Sequence, residues 1–438
     1  MTPAFTPIAD LVTDIEEKEI EPAEIVASCG AEIARFNDRF RAYSHLCEDI
    51  EAQLANLPDG PLRGITVSVK GNIPVAGMPL TEGSAIFADR RATADAAIVA
   101  RLRAAGAVIL GHTTLSELAM YGVTNPFEPM GLNPYDVTRT AGGSSTGAGV
   151  AAALGMAHIN IGTDSGGSIR NPACHCGVVG FMPRIGVLPL GGKVNHTPSL
   201  STLGIIARSV DDVALAFAAT AEPHEPAPPL KKRLIVPSRL IETMCDAETL
   251  ALFEAALKRA SAAGFDLVER DVEGWIAAER AAGIVSMAEG GRALAAMDIS
   301  RASDGIKARA AAAANLEPAE VDAARAACAT FKDALAAALD GCGADAVITP
   351  TWPFPAPAID ATEAEAKGKR VPIDPHRNCF VRVGNAVDAV ALTLPMGLYT
   401  VGVPAGLHLM ALKDDAQMLR VAKILEDALP ESPRPPVL

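Results

Sequence analysis

Hydrophobic spacing divides the chain into alternating helical and extended stretches. Between Pro7 and Arg35, Ile8, Leu11, Val12 and Ile15 recur at helical intervals, and Glu21-Pro22 opens a second run through Ile25, Val26 and Ile33. Two packing helices are predicted there. From Gly64 to Lys70 the period changes to two, with Ile65, Val67 and Val69 alternating against Thr66, Ser68 and Lys70. That alternation is a strand with two dissimilar faces, and Lys70 ends it on the polar one. Thr93 to Ala105 returns to helical spacing, Gly106 fits its C-terminal stop, and Ala107-Val108-Ile109-Leu110 reads as a short buried strand. The order strand, helix, strand is the signature of parallel α/β structure.

The pattern continues in the same sense. Ser144 opens a helix through Val150 and Leu154, and His158-Ile159-Asn160-Ile161 is a strand that delivers the chain into a glycine turn. Glu222 to Pro229 is the densest interior proline stretch, but strand-like Leu234-Ile235-Val236 follows at once, so it is not read as a domain linker. Helices, Leu267-Val268 and a further strand Ala346-Val347-Ile348 come next, the last running into Thr349-Pro350-Thr351. The 438 residues suffice for two ordinary domains or one large α/β domain, and length does not choose between them.

Composition narrows the class. Hydrophobic residues make up 49% of the chain, yet no apolar run approaches the roughly 18 residues of a membrane span. Met1 to Glu16 carries acidic residues where a secretory leader needs a basic stretch and an apolar one, so a cytoplasmic location is expected. The net charge of −14 opposes direct binding to nucleic acid. Eight scattered cysteines suit reduced thiols. Cys174-His175-Cys176 looks metal-like in isolation, but no second pair completes a set of about four ligands, and it reads as a packed turn.

Candidate chemistry lies in two serine-bearing glycine turns, Gly142-Gly143-Ser144-Ser145 and Gly162-Thr163-Asp164-Ser165-Gly166-Gly167-Ser168-Ile169-Arg170. A nucleophilic serine needs a base for its proton and backbone N–H groups for the oxyanion. Lys70 can be the first, provided burial pushes it toward the neutral amine, and the Ser165-Gly166-Gly167-Ser168 turn the second. Neither turn carries the Gly-Lys-Ser/Thr ending of a phosphate-binding loop. Gly143-Ser144-Ser145-Thr146-Gly147 matches the short elbow pattern of α/β-hydrolases, but no strand directly precedes it. His112, His158, His175 and His196 are read as turn or core residues.

With these motifs the chain resembles the amidase signature family from about Pro61 to Arg184. The key serines, Ser144 and Ser168, stand 24 residues apart as in that family, with Gly64 to Lys70 before them and Cys176-Gly177-Val178-Val179-Gly180 after. The resemblance implies one domain over 1–438, a large mixed, mostly parallel sheet covered by helices on both faces. A catalytic core at 61–210 and a variable helical layer at 271–340 are expected within it. It implies Ser168 as nucleophile, Ser144 as bridge on a cis Gly143-Ser144 peptide and Lys70 as base, with Asp164 and Arg170 bracing the turn. Met120-Tyr121-Gly122 aligns with a segment lining the acyl pocket and Trp352 follows the Thr-Pro-Thr turn, so an apolar or aromatic acyl group is expected; Arg377 is a candidate partner for a substrate carboxylate. Three departures from the pattern, Gly71 after the lysine, Thr146 for a glycine, and Phe181-Met182-Pro183-Arg184 for Leu-Lys-Pro-Thr, block transfer of any one subfamily's substrate. The expected activity is hydrolysis of a small-molecule amide with no metal or cofactor, no membrane and no direct nucleic-acid partner, a homodimer being left open. The alternative is the glutaminase (A-type) subunit of a tRNA-dependent amidotransferase, which shares the same motifs.

Overall fold

The computed structural model describes residues 2–120, 125–192, 196–222, 227–366, 369–373 and 377–438. The strands among them are β1 (Tyr43–Leu46), β2 (Thr66–Lys70), β3 (Val108–Thr113), β4 (Ile159–Asp164), β5 (Val179–Met182), β6 (Thr202–Ala207), β7 (Arg233–Val236), β8 (Asp266–Glu269), β9 (Ala346–Pro350), β10 (Glu363–Ala366), β11 (Lys369–Pro372), β12 (Val390–Leu398) and β13 (Pro404–Ala411). Eleven of them form one sheet in the order β1-β3-β2-β4-β6-β5-β12-β13-β9-β7-β8, and β10 pairs with β11 in a hairpin. Parallel pairing occupies two flanks, β3-β2-β4 and β9-β7-β8, where helices carry the chain between neighbours. The joins between these flanks, from β4 through β6, β5, β12 and β13 to β9, are antiparallel.

Consecutive strand residues enter different cores, so both faces of the sheet are covered. Ile109 lies in one hydrophobic cluster and its neighbours Val108 and Leu110 in another; Ile205 and Ile206, or Leu409 and Met410, divide in the same way. Helices Ile8–Glu16, Ala97–Ala104, Val210–Thr220, Ala247–Ala262 and Asp415–Ala428 contribute to the first face. Pro22–Phe40, Thr146–Ala153, Trp275–Ala295 and Pro318–Cys342 contribute mainly to the other. This double burial explains why β2 is inaccessible along its whole length, including the face that alternation marks as polar.

Element boundaries moved where side chains had other work. The helix expected from Thr93 starts at Ala97, because the Asp95 carboxylate instead receives the Ala76 amide at 2.7 Å and Arg103 at 3.0 Å. The strand expected at 107–110 runs on through His112 and Thr113, pairing with both β1 and β2. The helix expected at Ser144 begins at Thr146. Part of the proline stretch, 223–226, lies outside the described residues. Among the described residues no helix is long and apolar enough to cross a membrane.

Phe181 on β5 is fully buried and meets Phe217 edge-on at 5.3 Å between ring centroids. Phe181→Ala should therefore cost about 3–5 kcal/mol. Leu398→Ala, at a residue 44% exposed, should stay within about 0.5 kcal/mol. Denaturation midpoints of the two variants, compared with wild type, check the contrast.

Candidate active site

Lys70 stands at the C-terminal end of β2 and Asp164 at the C-terminal end of β4, both on the parallel flank. Sites in open α/β sheets gather at such strand ends. Lys70 is fully buried, and its Nζ donates to Ser144 Oγ at 2.7 Å and Thr163 Oγ1 at 2.8 Å. Ser144 follows a cis Gly143-Ser144 peptide. Ser145 ties the two glycine turns together: its N–H donates to the Ser168 carbonyl at 3.2 Å and its hydroxyl to the Thr163 carbonyl at 3.2 Å. Gly142, with φ +78°, completes the fit, since a Cβ there would lie 2.7 Å from the backbone of Pro172.

The second turn is wrapped around a carboxylate. Asp164 accepts the amides of Gly166 at 3.1 Å, Gly167 at 2.7 Å and Ile169 at 2.9 Å, together with Asn385 Nδ2 at 3.0 Å and Arg170 Nε and Nη2 at 3.2 and 3.1 Å. Neither side chain of the Asp164–Arg170 pair is accessible. Burial by itself raises the pKa of Asp164, but the Arg170 guanidinium and the backbone amides outweigh it and hold the carboxyl well below the usual range. Arg170 also donates to the Val381 carbonyl at 2.8 Å, Asn385 Oδ1 at 2.8 Å and His408 Nε2 at 3.0 Å. Burial, then the adjacent Arg170 charge, push the His408 pKa well below its ordinary value, so the imidazole is neutral and can accept this bond. Asp164 and Arg170 thus stand in bracing positions, while the Gly166 and Gly167 amides, two of the four expected oxyanion donors, are already engaged.

Ser168 and Thr163 line a cavity of about 100 Å³, with Ser165, Gly166, Asn72, Thr197, Ser201 and Asn378 on the same wall. Helices Trp275–Ala295 and Asp304–Ala314 close it with Ser286, Gly290 and Arg309, and Arg377 and Arg382 reach it from the C-terminal region. Met120 joins Leu118 and Ala119 as the described apolar lining, whereas Tyr121 and Gly122, like His376, lie outside the described residues. Arg377 is on this wall, half-buried, and not on the outer surface.

Two expectations change. Trp352 does not line the cavity: it is 2% exposed, donates through Nε1 to Asn171 Oδ1 at 2.7 Å and packs with Phe354 and His175 in a core of its own. Of the residues behind the expected apolar or aromatic acyl pocket, Trp352 is thus excluded and Met120 lines the cavity beside polar side chains. His196, read as a turn or core residue, lines the cavity with Nε2 2.7 Å from buried Glu82 Oε2, and Glu82 also pairs with Arg90. Cys174-His175-Cys176 closes the helix Arg170–Cys176, all three buried. Among the described residues no group of three or more His, Cys, Asp or Glu could hold a metal ion.

Sequence reasoning missed Thr163, His196, Arg309, Asn378 and Arg382. Thr163 was within reach, since it lies in the second motif and the parallel β2–β4 ladder brings that motif to Lys70. The others come from segments with no motif or period that points to the site.

The chain belongs to the Amidase family, whose profile matches residues 24–419. It is similar to the A-type subunit of the glutamyl-tRNA(Gln) amidotransferase of Treponema pallidum (strain Nichols), 46% identical over 166 residues that make up 37% of this chain and 32% of that one. It is likewise similar to the putative amidase AmiD of Mycobacterium bovis, 36% identical over 233 residues, 51% of this chain and 48% of that one. The chain therefore spans about a third to a half of the length of these curated relatives. A solved structure described as an amidase superposes with a TM-score of 0.90 at 27% identity, covering 97% of this chain and all of that one. The mixed α/β architecture with its large central sheet is that of the amidases.

The buried pair yields a stability prediction. Asp164→Asn leaves Arg170 without its counter-charge, which should cost about 3–5 kcal/mol at pH 7. Because the folded carboxyl pKa is depressed, its stabilisation is complete above the unfolded value near 4 and is lost as pH falls toward the folded value. The gap in denaturation midpoint between wild type and Asp164→Asn should accordingly be full at pH 7 and narrow below about pH 4.

Proposed function

We propose that this protein is a serine amidase that hydrolyses a linear carboxylic amide of a small molecule through an acyl-enzyme on Ser168. The observation that carries the reading is the 2.7 Å bond between Lys70 Nζ and Ser144 Oγ, with Lys70 also bonded at 2.8 Å to Thr163, which lines a cavity together with Ser168. Full burial strips Lys70 of the hydration that favours an ammonium ion. As a neutral amine it accepts from the Ser144 hydroxyl, reversing the direction of that bond, and Ser144 in turn can take the proton of Ser168.

Ser168 Oγ then bonds to the amide carbonyl carbon, and the developing oxyanion falls to the amides of Ser165 and Ser168, those of Gly166 and Gly167 being drawn to Asp164. Collapse breaks the C–N bond while the relay returns the proton to the departing nitrogen. A water molecule attacks the acyl-enzyme, gives its proton to the same relay, and releases the acid with Ser168 restored. Substrate, water and three side chains account for every bond and proton. Met120 and Arg377 are the expected residues that touch the substrate.

A second reading has a specific observation behind it: the 46% match to an A-type amidotransferase subunit spans 166 residues. On that reading the same site hydrolyses glutamine and delivers ammonia to a partner protein.

Ammonia release from a panel of amides, glutamine included, tests both. The purified chain should hydrolyse a non-glutamine amide, Ser168→Ala should lower kcat by about 10³-fold or more, and Lys70→Ala by at least about 10²-fold. Wild-type rates in either variant would remove the triad, and turnover confined to glutamine with added partner subunits would establish the second reading.

A further inference from the structure

Three guanidinium groups share one small cavity with the candidate nucleophile. Arg309, Arg377 and Arg382 line it beside Ser168, and no aspartate or glutamate is among its described lining residues. This runs against the charge of the whole chain, which is −14. Two carboxylates outside the described lining pair with residues in it: Glu279, 2% exposed, accepts from Arg382 Nη1 at 2.8 Å, and Glu82 faces His196 Nε2 at 2.7 Å. Glu289, also buried, receives Ser199 Oγ at 2.6 Å and Arg325 Nη2 at 2.8 Å. Arginine side chains are thus part of the described lining, while the carboxylates that pair with Arg382 and His196 are not.

One of the arginines can be placed relative to the reacting turn. Arg382 runs alongside Gly166, where a Cβ would lie 3.4 Å from its Cγ and 3.6 Å from its Nε. Arg309 lies beside Gly290 and Met120, where a Cβ on Gly290 would lie 3.8 Å from its Nε and 3.5 Å from Met120 Cε. A planar guanidinium presents paired donors that match a carboxylate, and such bonds are roughly twice as strong as neutral ones. Ser286 and Asn378 add neutral polar groups to the same wall.

We propose that the amide hydrolysed here carries a free carboxylate, bound by the cavity's arginines while the scissile carbonyl faces Ser168. The proposal rests on the amidase reading and gives it a substrate class, small anionic amides. Water adds across the amide C–N bond, yielding a carboxylic acid and ammonia or an amine, and the bound carboxylate is unchanged throughout.

The test pairs each anionic amide with a neutral isostere. Succinamate against succinamide places the carboxylate on the acyl side, and N-acetylglycine against N-propylacetamide places it on the amine side. At least one anionic member should exceed its partner in kcat/KM by roughly tenfold or more, and added salt should shrink that preference. Arg309→Met and Arg377→Met should reduce the preference roughly tenfold, chiefly through KM for the anion, with Arg309→Lys recovering part of it. Neutral isosteres turned over as well as the anions, or a preference that neither arginine variant changes, would overturn the proposal. If no panel amide is cleaved, calorimetry with Ser168→Ala decides: binding of succinamate but not succinamide upholds it, and equal or absent binding sinks it. Ser168-dependent release of p-nitrophenol from a neutral p-nitrophenyl ester reports the nucleophile separately, so a failure of the charge preference is told apart from a failure of the amidase reading.

Discussion

Everything at the site hangs from one ion pair buried beyond reach of solvent. Removing Asp164 and Arg170 from water is expensive, and such a pair persists only when further hydrogen bonds occupy both partners. Here they do: the carboxylate gathers three turn amides and Asn385, and the guanidinium reaches Val381, Asn385 and neutral His408. The pair fixes where the chain goes between β4 and the helix Arg170–Cys176, and Ser168 sits on that path. The position of the candidate nucleophile is thus set by charge desolvated in a low-dielectric interior as much as by strand geometry.

The motif region is highly legible in the sequence because its chemistry is local. Turns demanding glycine, a lysine at the end of an alternating strand and serines at helix starts leave marks within a few residues, and the structure brings Lys70, Ser144 and Asp164 into one neighbourhood. Helices Ile8–Glu16 and Pro22–Phe40 are equally visible through their apolar spacing. The alternation of β2 identifies a strand, but its polar face is buried too, since period alone does not say whether a second layer covers the other side.

The rest is hidden for a different reason. The cavity wall is assembled from side chains brought together by tertiary packing: His196 from a loop, Arg309 from an alanine-rich helix, and Arg377 and Arg382 from the segment before β12. None of these stands in a pattern tied to Ser168. Trp352 illustrates the converse error, for its nearness to a Thr-Pro-Thr turn suggests the pocket while its indole is consumed in bonding Asn171 and packing His175. Gly71 departs from the family pattern, and the reason is visible: a Cβ there would press to 3.1 Å on Leu115 Cδ2, so a larger residue would need Leu115 to give way.

The reach of Arg170 across the chain also bears on how such a protein can change over evolutionary time. Its acceptors lie more than two hundred positions downstream, at Val381, Asn385 and His408. Transplanting the two glycine turns into another scaffold would carry over the letters of the motif without the grip that shapes them. A recombination event joining an upstream half to a foreign downstream half would have to preserve these three acceptors, while the arginine-bearing wall between them could diverge. The fold therefore couples inheritance of its buried ion pair across the whole chain and leaves the cavity wall free to drift.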